Sequence, residues 1–578
     1  MSLDAIRAAA EEIIATDERF ALDQADVRGT RFRVFRNAPS SLREMMQHSA
    51  QAHGDKTFLV YEDERWTYPE FCDLVNRTAH LLQSLGVQRG DRVAIAMRNY
   101  PELVTLLMAI PSIGAIAVPV NAWWTADELE YGFTDSGAKI AFADGPRHDR
   151  IASFAGSYGV RLIGVRDADG DESFDDMMAR VTDTPWPDVP IDTDDDFSVM
   201  YSSGSTGYPK GVVQTHRGAI SAVYSWVFAG ALARHLADPS VGLPGEDIAN
   251  GTSSVLVITP LFHVTATHPI WLQALVLGTS VVIMHKWDAH RAVEVINREK
   301  VTRFLGVPTQ SADLLAAAKD TGVEMPSLIY VGSGGAKRPP AQVGELAEAF
   351  PNASIASGWG MTETNALGTG IGGPDYIARP GAAGRMIPPL QDFKIVDEQG
   401  AEVPPGEAGE LVVRSPANMR CYLNKPDETA ETLQDGWLKT GDLATVDEDG
   451  FYYIVDRKKN IIIRGGENIS GLEVEAAIHR HPAVLEAGVF SVPDERLGEV
   501  VGAGITLRAG AELSSEHLKE FLSGAVAAFK IPQHVWFIND ALPRGATDKI
   551  DRRALQKDCL DHLTAERALL ADSDRKSA

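Results

Sequence analysis

From Arg92 onward, apolar runs of strand length alternate with longer amphipathic stretches. Arg92–Asn99 (RVAIAMRN) reads as a strand, Pro101–Ile110 as a helix and Ala115–Val120 as a buried strand, and Lys139–Asp144 and Val160–Val165 continue the series. Alternation at this spacing predicts right-handed crossover units and a layered α/β core. Ahead of it, MSLDAIRAAAEEIIA sets apolar residues at helical spacing among Asp4, Glu11 and Glu12, which reads as a lead-in helix and not as an export signal. Between Phe393 and Arg414 the apolar stretches are separated by turn residues at Asp397–Gly400 and Pro404–Gly409, an antiparallel pattern. The charge run Asp456-Arg457-Lys458-Lys459 then interrupts the chain. Beyond it a smaller unit is expected, with a helix in Leu472–His479, strands in Ala487–Ser491 and Val501–Leu507, and a helix in Ser515–Phe529. The fold class expected is α/β with α+β elements: a large layered N-terminal domain over 1–456 and a small C-terminal α+β domain over 457–578.

Two long stretches, Val104–Ala126 and Gly251–His285, contain no Asp, Glu, Lys or Arg, and by length alone each could span a bilayer. Pro111, Pro119, Pro260, Pro269 and Gly278 divide them into pieces of strand or short-helix length, as interior helices and buried parallel strands require. No transmembrane segment is therefore expected. Lys and Arg number 54 against 80 Asp and Glu, a net charge of −26 over 578 residues. Such a balance repels polyphosphate backbones, and no basic patch offsets it, so nucleic acid is not an expected partner. A small anion can still enter one positive pocket. The only cysteines, Cys72, Cys421 and Cys559, are odd in number and far apart, which excludes a disulfide scaffold and a CxxC zinc site and points to a reducing cytoplasm.

The sharpest local signal is Tyr201-Ser202-Ser203-Gly204-Ser205-Thr206-Gly207-Tyr208-Pro209-Lys210-Gly211, between a Phe197–Tyr201 strand and Val212–Val213. Its three glycines let backbone amides approach oxyanions, its hydroxyls add donors, and Lys210 supplies charge, which suits phosphate. It is not a Walker A loop, because Pro209 precedes Lys210 and Gly211 follows it. A second stretch, Gly358-Trp359-Gly360-Met361-Thr362-Glu363-Thr364, sets an aromatic plane beside a hydroxyl and a carboxylate, a combination able to stack a purine, touch its phosphate and hold Mg2+, or equally to pack a core Trp beside a helix cap. Gly332-Ser333-Gly334-Gly335-Ala336 offers backbone without side-chain bulk, for a flat base edge or for a plain turn. Gly368-Thr369-Gly370-Ile371-Gly372-Gly373 satisfies GxGxxG, but with no clear strand before it and Pro374-Asp375 in place of a helix after it, a glycine-rich loop is expected there and not a dinucleotide site.

Taken in order, these segments resemble the adenylate-forming superfamily, and within it the AMP-forming acyl-CoA synthetases, over most of the chain. The resemblance rests on the Tyr201–Gly211 loop, Pro260-Leu261-Phe262-His263, Gly334-Gly335-Ala336, Gly360-Met361-Thr362-Glu363, Gly436–Asp442 (GWLKTGD), Asp456-Arg457-Lys458-Lys459, Gly465-Gly466-Glu467-Asn468-Ile469 and Leu542–Ile550 (LPRGATDKI). It implies a ligase that couples a small-molecule carboxylic acid to AMP with release of pyrophosphate and then passes the acyl group to coenzyme A, using ATP and Mg2+. It implies that Ser202, Ser203, Gly204, Ser205, Thr206 and Gly207 with Lys210 hold the β- and γ-phosphates, that Thr206 and Glu363 face Mg2+, and that Thr362 meets the α-phosphate. Gly334, Gly335, Ala336 and Trp359 would enclose adenine, with Gly360 and Met361 in the same nucleotide-binding stretch. Asp442 would accept from the ribose hydroxyls, being acceptor-only when ionised, and Arg457 would support the ribose. Lys549 matches the catalytic lysine that bridges the acid and the α-phosphate, and His263 the histidine near the acid pocket. Lys459 matches the hinge about which a mobile C-terminal domain swings, bringing Gly465 and Gly466 beside the pantetheine channel. A homodimer is left open.

The chain departs from the family pattern at Asp548, where glycine usually precedes the lysine, at Trp359 for tyrosine, at Cys421 for glycine and at Gly471 for proline. Asp548 admits a non-enzyme alternative, a degenerate ATP-binding regulator. The segment containing Tyr224, Trp226 and Phe228, with Gly306–Thr309, Ser333 and Gly358, matches the acid pocket and carries no charge, so an apolar acid is expected, while the helical spacing of the three aromatics suits core packing at least as well. Glycine at Gly306 and Gly358 is read as leaving room for a long or bulky tail, hence a medium- or long-chain fatty acid, with an aryl or cyclic acid, or loading of a carrier protein, as alternatives.

Overall fold

The structure is a computed structural model that describes residues 2–182, 185–202, 209–237, 253–464, 467–545 and 549–577, apart from the side chains of Lys459 and of 565–577. Two compact units emerge: Met1–Lys394 with Val412–Lys439 and Asp447–Tyr452, and Ile395–Leu411 with Thr440–Val446 and Tyr453–Ala578.

The larger unit is built on two sheets. One has seven strands in the order Cys421–Tyr422, Lys210–Thr215, Asp196–Ser202, Ile116–Pro119, Arg92–Ala96, Ile140–Asp144, Arg161–Val165. The other has nine, with a parallel centre of Thr57–Tyr61, Ser280–Ile283, Ser254–Val257, Arg303–Gly306, Tyr330–Ser333 and Ser354–Trp359 and antiparallel strands at both edges. The two charge-free stretches supply central strands. Ile116–Pro119 and Ser254–Val257 are buried at every position, as a parallel strand covered on both faces must be. Among the described residues no helix is long and apolar enough to cross a membrane. The expected alternation is present, with Pro101 opening a Pro101–Ser112 helix that carries Pro111 in its last turn.

The GxGxxG segment is not a loop. Thr369–Gly372 is a strand antiparallel to Ser354–Trp359, and a short helix, Gly373–Ala378, follows with Pro374 in its first turn. Pro374, read as a breaker, is a helix starter in that position. The antiparallel pairing leaves no strand–crossover–strand unit for a dinucleotide.

The smaller unit has a five-stranded sheet, with Glu467–Ile469, Ile462–Arg464, Gly498–Leu507 and Val484–Asp494 in order and His534–Phe537 added in parallel to Gly498–Leu507. Helices Gly471–Ile478 and Ser515–Ser523 cover one core, in which Ile462, Val474, Val501 and Leu518 are buried, and the Arg552–Ser577 helix starts on a second core through Leu555 and Cys559. The mixed architecture, a large N-terminal and a smaller C-terminal part, matches the expected fold class. The three cysteines are all free thiols.

Candidate active site

In the larger unit the site is organised by a hairpin. Asp196–Ser202 and Lys210–Thr215 run antiparallel with Ser202 opposite Lys210. Ser203, Gly204, Ser205, Thr206, Gly207 and Tyr208 lie outside the described residues. On the far side of the Lys210–Thr215 strand, Val212 pairs with Tyr422, and the two-residue period of a strand sets Lys210 and Tyr422 on one face. The Lys210 ammonium stands 5.0 Å from the centre of the Tyr422 ring and is paired with the Glu428 carboxylate.

Tyr422 links this cation to the next motif. Its hydroxyl donates to Glu363 Oε1 at 2.9 Å inside the protein, and burial together with the Glu363 carboxylate raises the phenol's pKa, keeping it a donor. Glu363 sits in a 3-10 turn, Thr362–Thr364, closed by Asn365 and Ala366 in left-handed conformation at φ 52° and 61°. The hairpin grips this turn: Gln214 Nε2 donates to the Thr362 carbonyl at 3.1 Å while its Oε1 accepts from Ser198 Oγ at 2.9 Å. Trp359 ends the preceding strand opposite Thr369, with its ring edge-on to Phe393 at 6.1 Å. A Cβ on Gly360 would overlap the Ala366 carbonyl oxygen, so the glycine lets the turn fold back on Met361.

Gly334, Gly335 and Ala336 leave the C-terminal end of the Tyr330–Ser333 strand as a turn of exposed backbone, with Gly335 at φ 77° and Gly334 N–H donating to the Gly306 carbonyl at 3.1 Å. Arg338 buttresses this turn from inside, donating to Ser333 Oγ at 3.1 Å and Gln342 Oε1 at 2.9 Å. His263 is half-buried and opens the Val264–Ala266 helix, and Thr265 lies 3.5 Å from where a side chain on Gly334 would begin. The loop bearing His263 therefore borders the Gly334 turn.

One reading of the acid pocket is corrected. A Cβ on Gly306 would meet Gln310 Oε1 at 2.7 Å, and one on Gly358 the Thr369 carbonyl at 2.7 Å. Protein atoms already fill those positions, so these glycines permit close packing and provide no room for a tail. The three aromatics also divide between two faces of the His216–His235 helix. Phe228 is fully buried edge-on to Phe20 at 5.2 Å, and Tyr224 lies 6.0 Å from Phe35, both against the N-terminal segment. Trp226 packs instead against Ala222, Leu367 and Ala417, beside the turn that carries Glu363.

The smaller unit gathers a second group. Asp442, 3% exposed, forms an ion pair with Arg457, Nε to Oδ1 at 3.0 Å, and its own N–H donates to Thr440 Oγ1 at 3.1 Å. The backbone about Lys549 is tied on both sides, Gly545 N–H donating to the Lys549 carbonyl and Asp551 N–H to the Pro543 carbonyl, each at 2.7 Å. Burial lowers the Lys549 ammonium to about 8; Arg457 pushes the same way and Asp442 opposes. Asp442, Arg457 and Lys549 thus share one electrostatic neighbourhood. The backbone of Lys459 is in the Lys458–Asn460 turn, while Gly465, Gly466 and Asp548 lie outside the described residues. Tyr422 and Glu428 escaped the reading of the sequence, although a Tyr followed four residues on by Pro-Asp-Glu (Pro426–Glu428) marks the helix start that brings them to Lys210.

The larger unit thus holds a buried carboxylate fixed by a tyrosine and a cation beside it, and the smaller unit an aspartate paired with arginine. In comparison with known proteins, residues 46–423 match the family model of AMP-binding enzymes, and residues 473–549 that of the AMP-binding enzyme C-terminal domain. The chain belongs to the AMP-binding enzyme family. A feruloyl-CoA synthase of a Streptomyces species is 34% identical over 84% of this chain and 92% of its own. The long-chain-fatty-acid–CoA ligase FadD13 of Mycobacterium tuberculosis is 32% identical over 86% and 93%. Among solved structures, the o-succinylbenzoate coenzyme A synthetase of Bacillus subtilis in complex with ATP and a magnesium ion superposes with a TM-score of 0.74 at 29% identity, covering 89% of this chain and 99% of that one. This member of the AMP-binding enzyme family is an AMP-forming acid–CoA ligase acting on an acyl or aryl acid. Its donor set suits magnesium, since Glu363 offers a hard carboxylate oxygen whose direction Tyr422 fixes.

Proposed function

We propose that the protein converts an apolar carboxylic acid to its CoA thioester in two steps served by the two groups of residues described above. In the first, an oxygen of the acid attacks the α-phosphorus of ATP and the bond to the β-phosphate oxygen breaks, leaving acyl-AMP and pyrophosphate. In the second, the thiol of CoA, losing its proton, attacks the acyl carbonyl and AMP departs. The work required is neutralisation of charge and alignment, and the residues present are fitted to it. Lys210 and the Ser202–Gly207 loop hold the β- and γ-phosphates, Thr362 the α-phosphate, and Trp359 with Gly334–Ala336 the adenine. Asp442 accepts from the ribose, with Arg457 beside it. Lys549 steadies the charge that gathers between the acid and the α-phosphate. Glu363 and Thr206 would hold Mg2+, which when bound neutralises phosphate charge. The observation that carries this reading is the junction at Tyr422, which joins the Lys210 cation to the Glu363 carboxylate in a chain of the acid–CoA ligase family.

Of the apolar acids, a flat aryl acid is favoured over a fatty one. The positions behind Gly306 and Gly358 are filled, which removes the case for a long tail, and Trp226 alone of the three aromatics packs beside the Glu363 turn. Residues 1–456 would carry adenylation, and 457–578 would move about Lys459 between the two steps. The test is pyrophosphate release with Mg-ATP and a panel of hydroxycinnamic, benzoic and C8–C16 fatty acids, each with and without CoA. Release sustained only with CoA, and faster with aryl than with fatty acids, is expected. Preference for C12–C16 acids would reverse the aryl assignment, and ATP binding without release across the panel would return Asp548 and the regulator reading to the front.

A further inference from the structure

The hairpin lysine already has an anion. Lys210 is fixed from below by the Tyr422 ring, its side chain is only 15% exposed, and the Glu428 carboxylate caps it. Glu428 is delivered by the helix Pro426–Thr432, which is pinned to the Cys421–Tyr422 strand through Thr429: its Oγ1 accepts from Tyr422 N–H at 2.9 Å and donates to the Lys425 carbonyl at 2.7 Å. The two partners differ in what each keeps if the pair opens. Glu428 is 32% exposed on its side chain and has a second cation, Lys425 Nζ, at 3.5 Å from Oε1. It can turn to water and to Lys425 without being left as an uncompensated charge. Lys210 has an aromatic face beneath it and little water, so another oxyanion must take the carboxylate's place.

We propose that Glu428 is an exchangeable counter-ion for Lys210, displaced when the polyphosphate of ATP binds and returning as pyrophosphate leaves. The proposal rests on the assignment of Lys210 to the phosphates. A carboxylate and a phosphate oxygen compete for one ammonium, and a carboxylate that stayed in place would repel the polyphosphate. Glu428 therefore weakens the hold on both ATP and pyrophosphate, which favours product release, and Lys425 sets how readily it withdraws. Glu428 acts through Lys210 and is a positioning residue.

The experiment measures binding of Mg-ATP and of pyrophosphate to the full-length protein by calorimetry, together with the KM values. Glu428→Gln should tighten both ligands by about 3- to 10-fold, the size of a partly exposed ion pair, and lower the KM for ATP while leaving the KM for the acid unmoved. Lys425→Met should loosen ATP about 2- to 5-fold, because Glu428 then clings to Lys210, and this loss should vanish in the Glu428→Gln background. Lys210→Met should weaken ATP and abolish the gain from Glu428→Gln. If Lys210→Met weakens ATP but Glu428→Gln leaves ATP and pyrophosphate affinities unchanged or weaker, the exchange is wrong and the site assignment stands. If Lys210→Met leaves ATP affinity untouched, both fall together.

Discussion

At the scale of single residues, Lys549 makes the sharpest claim. Its ammonium is lowered to about 8 from the usual 10.5, because burial penalises the charged form and Arg457 repels it, while Asp442 pulls the value back up. In the role proposed for Lys549 the charged form is the one that would stabilise adenylation, so kcat/KM for ATP-dependent pyrophosphate release should hold below pH 8 and fall as pH rises through it. Asp442→Asn removes the group that raises the value and should move this falling limb to lower pH. Arg457→Gln removes one that lowers it and should move the limb to higher pH. Opposite shifts measured on the two variants would establish the shared field, and a limb fixed in both would dissolve it. Lys549, Asp442 and Arg457 could be singled out in the sequence because each lies in a short ordered motif. Tyr422 and Glu428 were not, because what gives them meaning is a cross-strand register, Val212 opposite Tyr422, and a turn 59 residues away bearing Glu363. Sequence spacing carries neither.

Elements show the same division. The crossover strands and helices of the larger unit were readable because burial on both faces of a parallel strand demands an unbroken apolar run, and Ile116–Pro119 and Ser254–Val257 obey it. Glycines were read less well, since a missing side chain can mean space or its opposite. Gly306, Gly358 and Gly360 each face another part of the chain at close range, whereas Gly230, on the exposed face of the His216–His235 helix, has nothing within 4 Å of where its Cβ would be. The contrast predicts opposite signs for one chemical change. Gly230→Ala should stabilise the protein by about 0.5–1 kcal/mol through helix propensity alone. Gly360→Ala must push the Ala366 carbonyl away and should cost about 1–3 kcal/mol, and since the N–H of Ala366 closes the turn bearing Glu363 by donating to the Met361 carbonyl, adenylation should fall as well. Chemical denaturation of the two variants, followed by pyrophosphate release, checks both signs; a neutral Gly360→Ala would mean the turn yields without strain.

For the molecule as a whole, the two half-reactions ask different things of one site. Adenylation needs a cation at the acid and the α-phosphate, and thioester formation needs that space opened to a thiol, so a single rigid arrangement serves one step at the expense of the other. Lys549 follows Lys459 in the chain, whereas Lys210, Glu363 and Asp442 precede it. Alternation of the C-terminal part about Lys459 would satisfy both demands in turn. The residue's backbone lies in the Lys458–Asn460 turn, a short 3-10 segment between two strands and a suitable place for a change in φ and ψ. Lys459→Pro locks φ near −65° and restricts Lys458 before it, which should freeze whichever arrangement that value allows. The expected result is acyl-adenylate formation within about 2-fold of the unaltered protein and thioester formation reduced by about 10-fold or more. Single-turnover measurement of acyl-AMP, then of thioester after CoA is added, separates the steps. Equal loss in both would place Lys459 in the chemistry common to the two steps and leave the motion without a pivot.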